Sequence, residues 1–232
     1  MPEAIVVAGN GPSSQADRVC HFPWPHARTF RTNYFFLPVE DALGGWVTDW
    51  FLCEAPEDCR AAVAFLRGAD CYSDNRTPAV SFWFPGIRPD ICQELATNHL
   101  DGFPVRLQKA YPRLPAACRW ETDLAPYRPL MGSFAIAVAV GMQPAELYLC
   151  GHDFFQHETG ASHGGVAKDT RSWQQSFNAE YLEERHRNHR LSGDVRYIRE
   201  ALRAYRGHVV CVGSVMKKLY AEEFPAWEFL DG

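Results

Sequence analysis

Short apolar runs alternate with stretches of helical periodicity along the whole chain. A short apolar run bounded by turn residues is typical of a strand that is buried on both faces of a parallel sheet. The runs predict strands at 5–7, 34–37, 46–52, 79–84, 105–109, 146–150 and 208–212, with 208–212 as the last strand. The periodic stretches predict helices at 56–67, 89–99, 129–140 and 194–206. This alternation predicts an α/β fold with a mostly parallel, twisted sheet and helices on both of its faces.

Two of the predicted helices differ in how they must pack. Residues 129–140 are small and apolar on nearly every side, so this helix must be buried. Residues 194–206 are amphipathic, with an apolar face and a stripe of arginines beside it. Such a stripe is ordinarily a solvated face, and contact with an anionic membrane surface or an acidic glycan is the alternative. The arginines are Arg196, Arg199, Arg203 and Arg206.

The length and continuity of the pattern predict one domain. The chain has 232 residues, which is enough for a large single core, and no linker, repeat or low-complexity run divides it. Residues from about 156 to 192 are polar, rich in glycine and histidine, and only weakly periodic. A segment of that length outside the regular pattern is typical of a lid over a functional site. We therefore expect a single domain over 1–232 with a lid at about 156–192.

Composition excludes several classes of function. The net charge is −5, which argues against a nucleic-acid partner. No apolar run approaches the roughly 18 residues that a bilayer-spanning helix needs, and no signal-peptide pattern precedes the first strand. The eight cysteines include no C-x-x-C pair, so we expect them to be reduced and several to be small core residues. These features favour a soluble, cytoplasmic protein.

The turn after the first strand is the first candidate for chemistry. Its residues are Gly9, Asn10, Gly11, Pro12 and Ser13. In a doubly wound sheet this turn is a place where ligands dock, glycines admit a close backbone approach, and an asparagine can both donate and accept. The turn matches neither a G-x-G-x-x-G loop nor a phosphate-binding loop with GK[ST]. A ligand-binding turn and an ordinary tight turn therefore both stay open.

Four stretches occur in an order and spacing that resemble one known family. They are V-V-A-G-N-G-P-S at 6–13, F-R-T-N at 30–33, residues 132–155 with their ending L-Y-L-C-G-H-D-F-F, and His189 followed five residues later by Asp194. Together they extend over about 190 residues. The family they resemble is that of the bacterial sialyltransferases of glycosyltransferase family 42, the lipooligosaccharide sialyltransferase group.

The resemblance implies a single Rossmann-like domain, a variant of the GT-A type, with a lid over the site. It implies transfer of sialic acid from CMP-sialic acid to a hydroxyl of galactose or sialic acid, with inversion and without a metal or other cofactor. The implied partners are a CMP-sugar donor and a glycan acceptor of lipooligosaccharide biosynthesis, with at most peripheral contact with the inner membrane. We also expect a homo-oligomer.

The resemblance also implies two sets of site residues. A histidine with an ordinary pKa suits the removal of a proton from a sugar hydroxyl, and the departing CMP phosphate needs electrostatic stabilisation. The implied catalytic set is His189 as general base, with Arg128 and His163. The implied nucleotide-binding set is Gly9, Asn10, Gly11, Ser13, Asn33, Gly132, Ser133 and Asp153.

The chain departs from the family pattern at several of these positions. The family places two tyrosine hydroxyls on the leaving phosphate, whereas this chain has Phe155 at the first position and His163 near the second. Histidines at 163 and 186 could supply the missing donor, and backbone amides at the helix starting near Pro129 are the alternative. Two other functions stay open: transfer of another CMP-sugar such as CMP-Kdo, and a catalytically inert nucleotide-binding protein on the same scaffold.

Three local alternatives also follow from the residues themselves. Asp194 is most simply the N-cap of its own helix, because a carboxylate there accepts from exposed amides. Asp153 is either a ligand contact or a cap of neighbouring loop amides. A zinc site at His152, His157 and His163 is possible in composition, but the spacing matches no known zinc motif.

Overall fold

The computed structural model describes residues 3–10, 13, 19, 21–23, 26–32, 47–52, 62, 64, 80–84, 105–109, 111–119, 129–152 and 191–231. Within them the strands are β1 (Ala4–Ala8), β2 (Arg28–Thr32), β3 (Asp49–Phe51), β4 (Val80–Phe84), β5 (Val105–Lys109), β6 (Glu146–Cys150), β7 (His208–Val212) and β8 (Glu228–Leu230). The helices that bear on the site are α1 (Met131–Gly141), α2 (Leu191–Arg203) and α3 (Ser214–Tyr220).

The described strands form one sheet in the order β5-β4-β3-β2-β1-β6-β7-β8, and every neighbouring pair is parallel. The chain adds strands on one side of β1 as far as β5, and then returns to the other side of β1 with β6. The strand order therefore reverses between β1 and β6. In open α/β sheets, ligands bind at such a switch point, outside the carboxyl ends of the strands.

β1 is apolar at every position because both faces of the sheet are covered there. Ile5 and Val7 belong to one hydrophobic core, while Val6 and Ala8 belong to a second core on the opposite face. All five residues of the strand are buried. A strand of this kind has no solvent-facing side, and its sequence is a continuous apolar run with no alternation.

The three helices pack on the face of the sheet that Ile5 and Val7 share. α1 contacts β1, β2 and β3 and packs against α2, and all of its residues from 133 to 140 are buried. This burial confirms the prediction from its small, apolar composition. The opposite core includes Val19 and Phe22, from the segment between β1 and β2.

A buried carboxylate at the first residue of β3 joins β2, β3 and β4 through its hydrogen bonds. Asp49 is 1% exposed and accepts hydrogen bonds from Nε and Nη2 of the Arg28 guanidinium. It also accepts from Thr48 Oγ1 at 2.8 Å and from Trp83 Nε1 at 2.7 Å. The charge of Asp49 is therefore paired and hydrogen-bonded, which is the condition for burying a carboxylate.

Several predicted elements are confirmed and others are corrected. The strands at 105–109, 146–150 and 208–212 have the predicted bounds. The strand Arg28–Thr32 was not predicted. The predicted strand at 34–37 lies outside the described residues. The prediction that 208–212 is the last strand is wrong, because β8 follows it. The predicted helices at 56–67 and 89–99 lie largely outside the described residues, as does most of the predicted lid.

Two predictions from composition can be compared with the structure. Cys118, Cys150 and Cys211 are buried in the hydrophobic cores, as expected of core cysteines. No helix in the described part of the chain has both the length and the apolarity needed to cross a membrane.

Candidate functional site

The candidate site lies at the carboxyl ends of β1 and β6, where the strand order reverses. Two hydrogen bonds from backbone amides join the loops that leave these strands. The amide of Gly9 donates to the carbonyl of Cys150 at 2.9 Å, and the amide of Gly151 donates to Ser13 Oγ at 2.9 Å. A Cβ atom on Gly9 would lie 2.3 Å from the carbonyl oxygen of Gly151. Gly9 is thus required by the close approach of the two loops, whether or not a ligand binds there.

Asn10 bridges the ends of β1 and β2 at this site. Its Nδ2 donates to the carbonyl oxygen of Thr32, the last residue of β2, at 3.0 Å. Its Oδ1 is buried and accepts no hydrogen bond from any residue that the structure describes. A buried acceptor without a donor is costly, and such atoms are uncommon in native proteins. The oxygen is therefore a candidate contact for a hydrogen-bond donor on a bound molecule.

His152 packs against the end of β1 and the turn that carries Asn10. The side chain is 5% exposed, and its Nε2 is 3.1 Å from the carbonyl oxygen of Val7. Because a carbonyl oxygen only accepts, Nε2 carries the proton in this hydrogen bond. The ring lies between Gly9 and Gly132, where added Cβ atoms would approach Nδ1 to 3.2 Å and 3.0 Å respectively.

A carboxylate from α2 binds the start of α1. Asp194 Oδ1 accepts from the amide of Leu130 at 2.8 Å and from Ser133 Oγ at 2.6 Å. Leu130 is the N-cap residue of α1, and its own side chain makes no capping hydrogen bond. Asp194 is 1% exposed and Ser133 is also 1% exposed, so the contact is shielded from water. A negative charge at this position is favourable because of the helix dipole of α1.

This contact corrects the prediction for Asp194. The residue lies inside α2, which includes Leu191, and so it is not the N-cap of its own helix. It supplies instead the capping group that Leu130 lacks, on a helix that precedes it by about sixty residues in the chain. The amide of Leu130 is consequently committed to a carboxylate. A second anion near this end of α1 is disfavoured, which argues against α1 as the source of phosphate stabilisation.

The fold of the chain is similar to that of solved sialyltransferases from Campylobacter jejuni. CstII in complex with CMP has a TM-score of 0.59 and 18% identity, with 90% of this chain and 79% of that chain covered. CstII with a trisaccharide acceptor and CMP has a TM-score of 0.57 and 16% identity, with coverage of 90% and 80%. The alpha-2,3-sialyltransferase Cst-I has a TM-score of 0.61 and 18% identity, with coverage of 90% and 75%. The fold is that of these sialyltransferases.

This likeness confirms, at the level of fold, the family resemblance that the four sequence stretches indicate. Neither a protein-family profile nor a curated protein matches the sequence. The similarity is therefore carried by the arrangement of the strands and helices, with identities of only 16–18% in these comparisons.

The structure brings the described members of the predicted nucleotide-binding set to one place. Gly9, Asn10 and Ser13 belong to the β1 turn, and His152 lies between this turn and the start of α1, where Gly132 and Ser133 are found. Outside the described residues lie Gly11, Asn33, Arg128, Asp153, His163 and His189, and their roles stay predictions.

His152 and Asp194 have roles that sequence reasoning missed. His152 was considered only for a zinc site, and its partners His157 and His163 lie outside the described residues. Among the residues that the structure describes, no three His, Cys, Asp or Glu side chains are grouped to hold a metal ion. The one signal in the sequence for His152 is its place, two residues after a buried strand at the switch point.

The arginines of α2 are partly used in ion pairs. Arg203 contacts Glu200 and Glu223, each at 2.8 Å, and Arg199 also pairs with Glu223. These partly exposed pairs are those of a solvated helix face, which is the ordinary meaning of such a stripe.

Proposed function

We propose that the protein is an inverting, metal-independent glycosyltransferase that moves sialic acid from CMP-sialic acid to a glycan hydroxyl. The acceptor would be a galactose or a sialic acid. The similar Campylobacter proteins include one solved with CMP and one solved with CMP and a trisaccharide acceptor, which supports a cytidine nucleotide as donor group and a glycan as acceptor.

The observation that carries the proposal is the hydrogen bonding of the Asn10 side chain. This residue lies at the switch point. Its amide nitrogen donates to Thr32, and its buried oxygen accepts no hydrogen bond within the described part of the chain. Cytidine offers donors to such an oxygen, at its N4 amino group and its ribose hydroxyls. Because Nδ2 is already hydrogen-bonded, Asn10 can use Oδ1 to accept from a nucleotide without changing its side-chain conformation.

In this proposal, residues in and near the predicted lid carry out catalysis. His189 removes the proton of the acceptor hydroxyl, a step that a histidine with a pKa near neutrality performs well. Phe155 has no hydroxyl for the leaving phosphate, and the amide of Leu130 at the start of α1 is bound to the Asp194 carboxylate. We therefore assign the developing negative charge on CMP to Arg128 and His163.

The proposal is tested by following CMP release from CMP-Neu5Ac in the presence of galactose-ended and sialic acid-ended glycans, with and without excess EDTA. We expect CMP release that depends on the acceptor and survives chelation. Release from CMP-Kdo alone would establish a transferase with a different donor sugar. Binding of CMP without release from either donor would establish the inert nucleotide-binding alternative. Activity lost to EDTA and restored by a divalent ion would contradict the metal-free mechanism.

The role of His189 is tested by His189→Ala. Because a proton-transfer group contributes to the transition state, we expect kcat to fall by about 100-fold or more while the affinity for CMP changes little. His208→Ala is the matched control, since His208 begins β7 at the amino end of the sheet and is 47% exposed. Near-normal turnover of the His189 variant would contradict the assignment.

A further inference from the structure

His152 stands at the junction of three segments that are distant in the sequence. The ring is hydrogen-bonded to the carbonyl of Val7 in β1 and packs against the start of α1 at Gly132. In the sequence, His152 comes two residues after the end of β6. We propose that His152 is the positioning residue of the donor site: it holds the β1 turn, and with it Asn10, at a fixed separation from α1. This inference rests on the proposed use of a cytidine nucleotide at Asn10.

The contact with β1 places the histidine directly under the binding turn. Val7 precedes Asn10 by three residues, and the ring also contacts the position where Gly9 would carry a side chain. The hydrogen bond needs a proton on Nε2, which a neutral histidine can provide. An imidazole thereby fixes the last residues of β1 without being exposed enough to bind the nucleotide itself, because it is only 5% exposed.

The contact with α1 explains why a glycine occupies the second position of this helix. A Cβ atom at 132 would lie 3.0 Å from Nδ1 and 3.2 Å from Cε1 of His152. Contacts that short force the neighbour to shift by a few tenths of an ångström. Gly132 and His152 are thus a matched pair, in which the missing side chain of one makes room for the ring of the other.

The first experiment measures CMP affinity by calorimetry for the wild type and for His152→Leu and His152→Gln. Leucine keeps the volume of the ring without a donor, while the glutamine amide nitrogen reaches about as far as histidine Nε2 and can donate to Val7. We expect His152→Leu to raise the Kd for CMP by about tenfold or more, and His152→Gln to stay within about threefold of the wild type. His208→Leu is the matched control and should bind CMP as the wild type does.

The second experiment uses the matched pair and does not depend on replacing the histidine alone. Gly132→Ala places a Cβ against the ring and displaces it, so the Kd for CMP should rise by about threefold or more. In a His152→Ala background the same Gly132→Ala change should not weaken CMP binding further. A purely structural glycine would give the same change in Kd in both backgrounds.

The third measurement needs no nucleotide. Amide hydrogen exchange of the peptide spanning residues 4–10 should be faster in His152→Leu than in the wild type, and the His152→Gln variant should restore it. Unchanged exchange together with an unchanged Kd in His152→Leu would overturn the positioning role and leave the proposed function in place. A folded wild type that does not bind CMP would overturn the proposed function, and the donor-site role of His152 with it.

Discussion

At the scale of single residues, Asn10 makes the most direct link between the fold and a nucleotide. The side chain is held at Nδ2 by the Thr32 carbonyl, so its oxygen has a fixed direction. We expect Asn10→Ala to weaken CMP binding by roughly 1–3 kcal/mol, because the donor on the nucleotide would lose its acceptor in a buried place. Calorimetric titration with CMP measures this. An unchanged Kd in a folded variant would mean that Asn10 serves only to join β1 and β2.

Asp194 is the residue whose loss we expect to affect the stability of the helix pair most. Asp194→Ala would leave the amide of Leu130 and the hydroxyl of Ser133 without their acceptor in a buried site. The free energy of unfolding should fall by roughly 1–3 kcal/mol, as measured by urea denaturation. Asp194→Asn keeps an accepting oxygen and should cost less.

Ser133→Ala provides the control for this prediction. It removes one of the two donors but leaves Asp194 bound to Leu130, so its cost should be smaller than that of Asp194→Ala. Equal costs for the two alanine variants would contradict the view that Asp194 caps α1 through both groups.

How far each residue could be predicted depends on where its partners lie in the chain. For Asn10, the position of its turn after the first strand left a ligand-binding turn and an ordinary tight turn open, and the family resemblance implied the nucleotide contact. Asp194 looked like a local helix cap, since local spacing is all that a sequence displays. His152 lies against Gly9 and Gly132, which are more than 120 residues apart in the sequence. Hydrophobic periodicity reports only on neighbouring residues, so it could not predict this contact.

At the scale of elements, the Arg28–Asp49 pair explains why the strand Arg28–Thr32 was not predicted from hydrophobic patterning. The strand sequence R-T-F-R-T contains two arginines, and its apolar content is lower than that of the run at 34–37. Arg28 reaches Asp49 on β3, and Arg31 is only 2% exposed. Side chains that satisfy each other across strands can occupy a buried strand, which hydrophobic patterning alone does not detect. The buried residues of β6 and β7 are Leu, Val and Cys, and both strands were predicted with their observed bounds.

The same pair yields a prediction for the stability of the sheet. Arg28→Ala would leave the Asp49 carboxylate buried, with hydrogen bonds from Thr48 and Trp83 but without its cation. Because an uncompensated buried charge is expensive, we expect the free energy of unfolding to fall by about 3 kcal/mol. The partial exposure of Arg28, 37% of its side chain, argues against a larger effect. Urea denaturation measures the change.

A surface ion pair provides the matched control. Lys217 contacts Asp231 at 2.9 Å, with side chains that are 47% and 84% exposed. Lys217→Ala should change the free energy of unfolding by at most about 1 kcal/mol, because both charges are already solvated. Similar costs for the Arg28 and Lys217 variants would show that the Asp49 carboxylate is reached by water.

At the scale of the whole molecule, the order of the strands places the site. β1 has neighbours that come from both halves of the chain, β2 at one side and β6 at the other. The sequence predicted a parallel α/β sheet because its apolar runs are short, continuous and separated by helical stretches. It could not predict β8, which has three residues of mixed polarity at the described edge of the sheet. An edge strand has neither continuous apolar character nor full burial, so the pattern that finds central strands does not find it.

The raised pKa values of three tyrosines predict that the stability of the protein falls at alkaline pH. Burial raises the pKa of Tyr148 to about 12, and its hydrogen bond to the Glu146 carboxylate and the charge of that group act in the same direction. Burial also raises the pKa values of Tyr205 and Tyr220. In the unfolded chain a tyrosine has a pKa of about 10. Between pH 10 and 12 the folded protein therefore binds more protons than the unfolded chain, and its stability falls as the pH rises.

Tyr148→Phe isolates one of these groups. Phenylalanine cannot lose a proton, so the variant should lose less stability than the wild type as the pH rises from about 10 to about 12. Urea denaturation at intervals of half a pH unit, for both proteins, gives the two slopes. Lysines and the other tyrosines titrate equally in both, so the difference between the slopes belongs to Tyr148. Parallel curves over this range would mean that Tyr148 ionises in the folded protein as it does in the unfolded chain, and that its contact with Glu146 does not hold the proton.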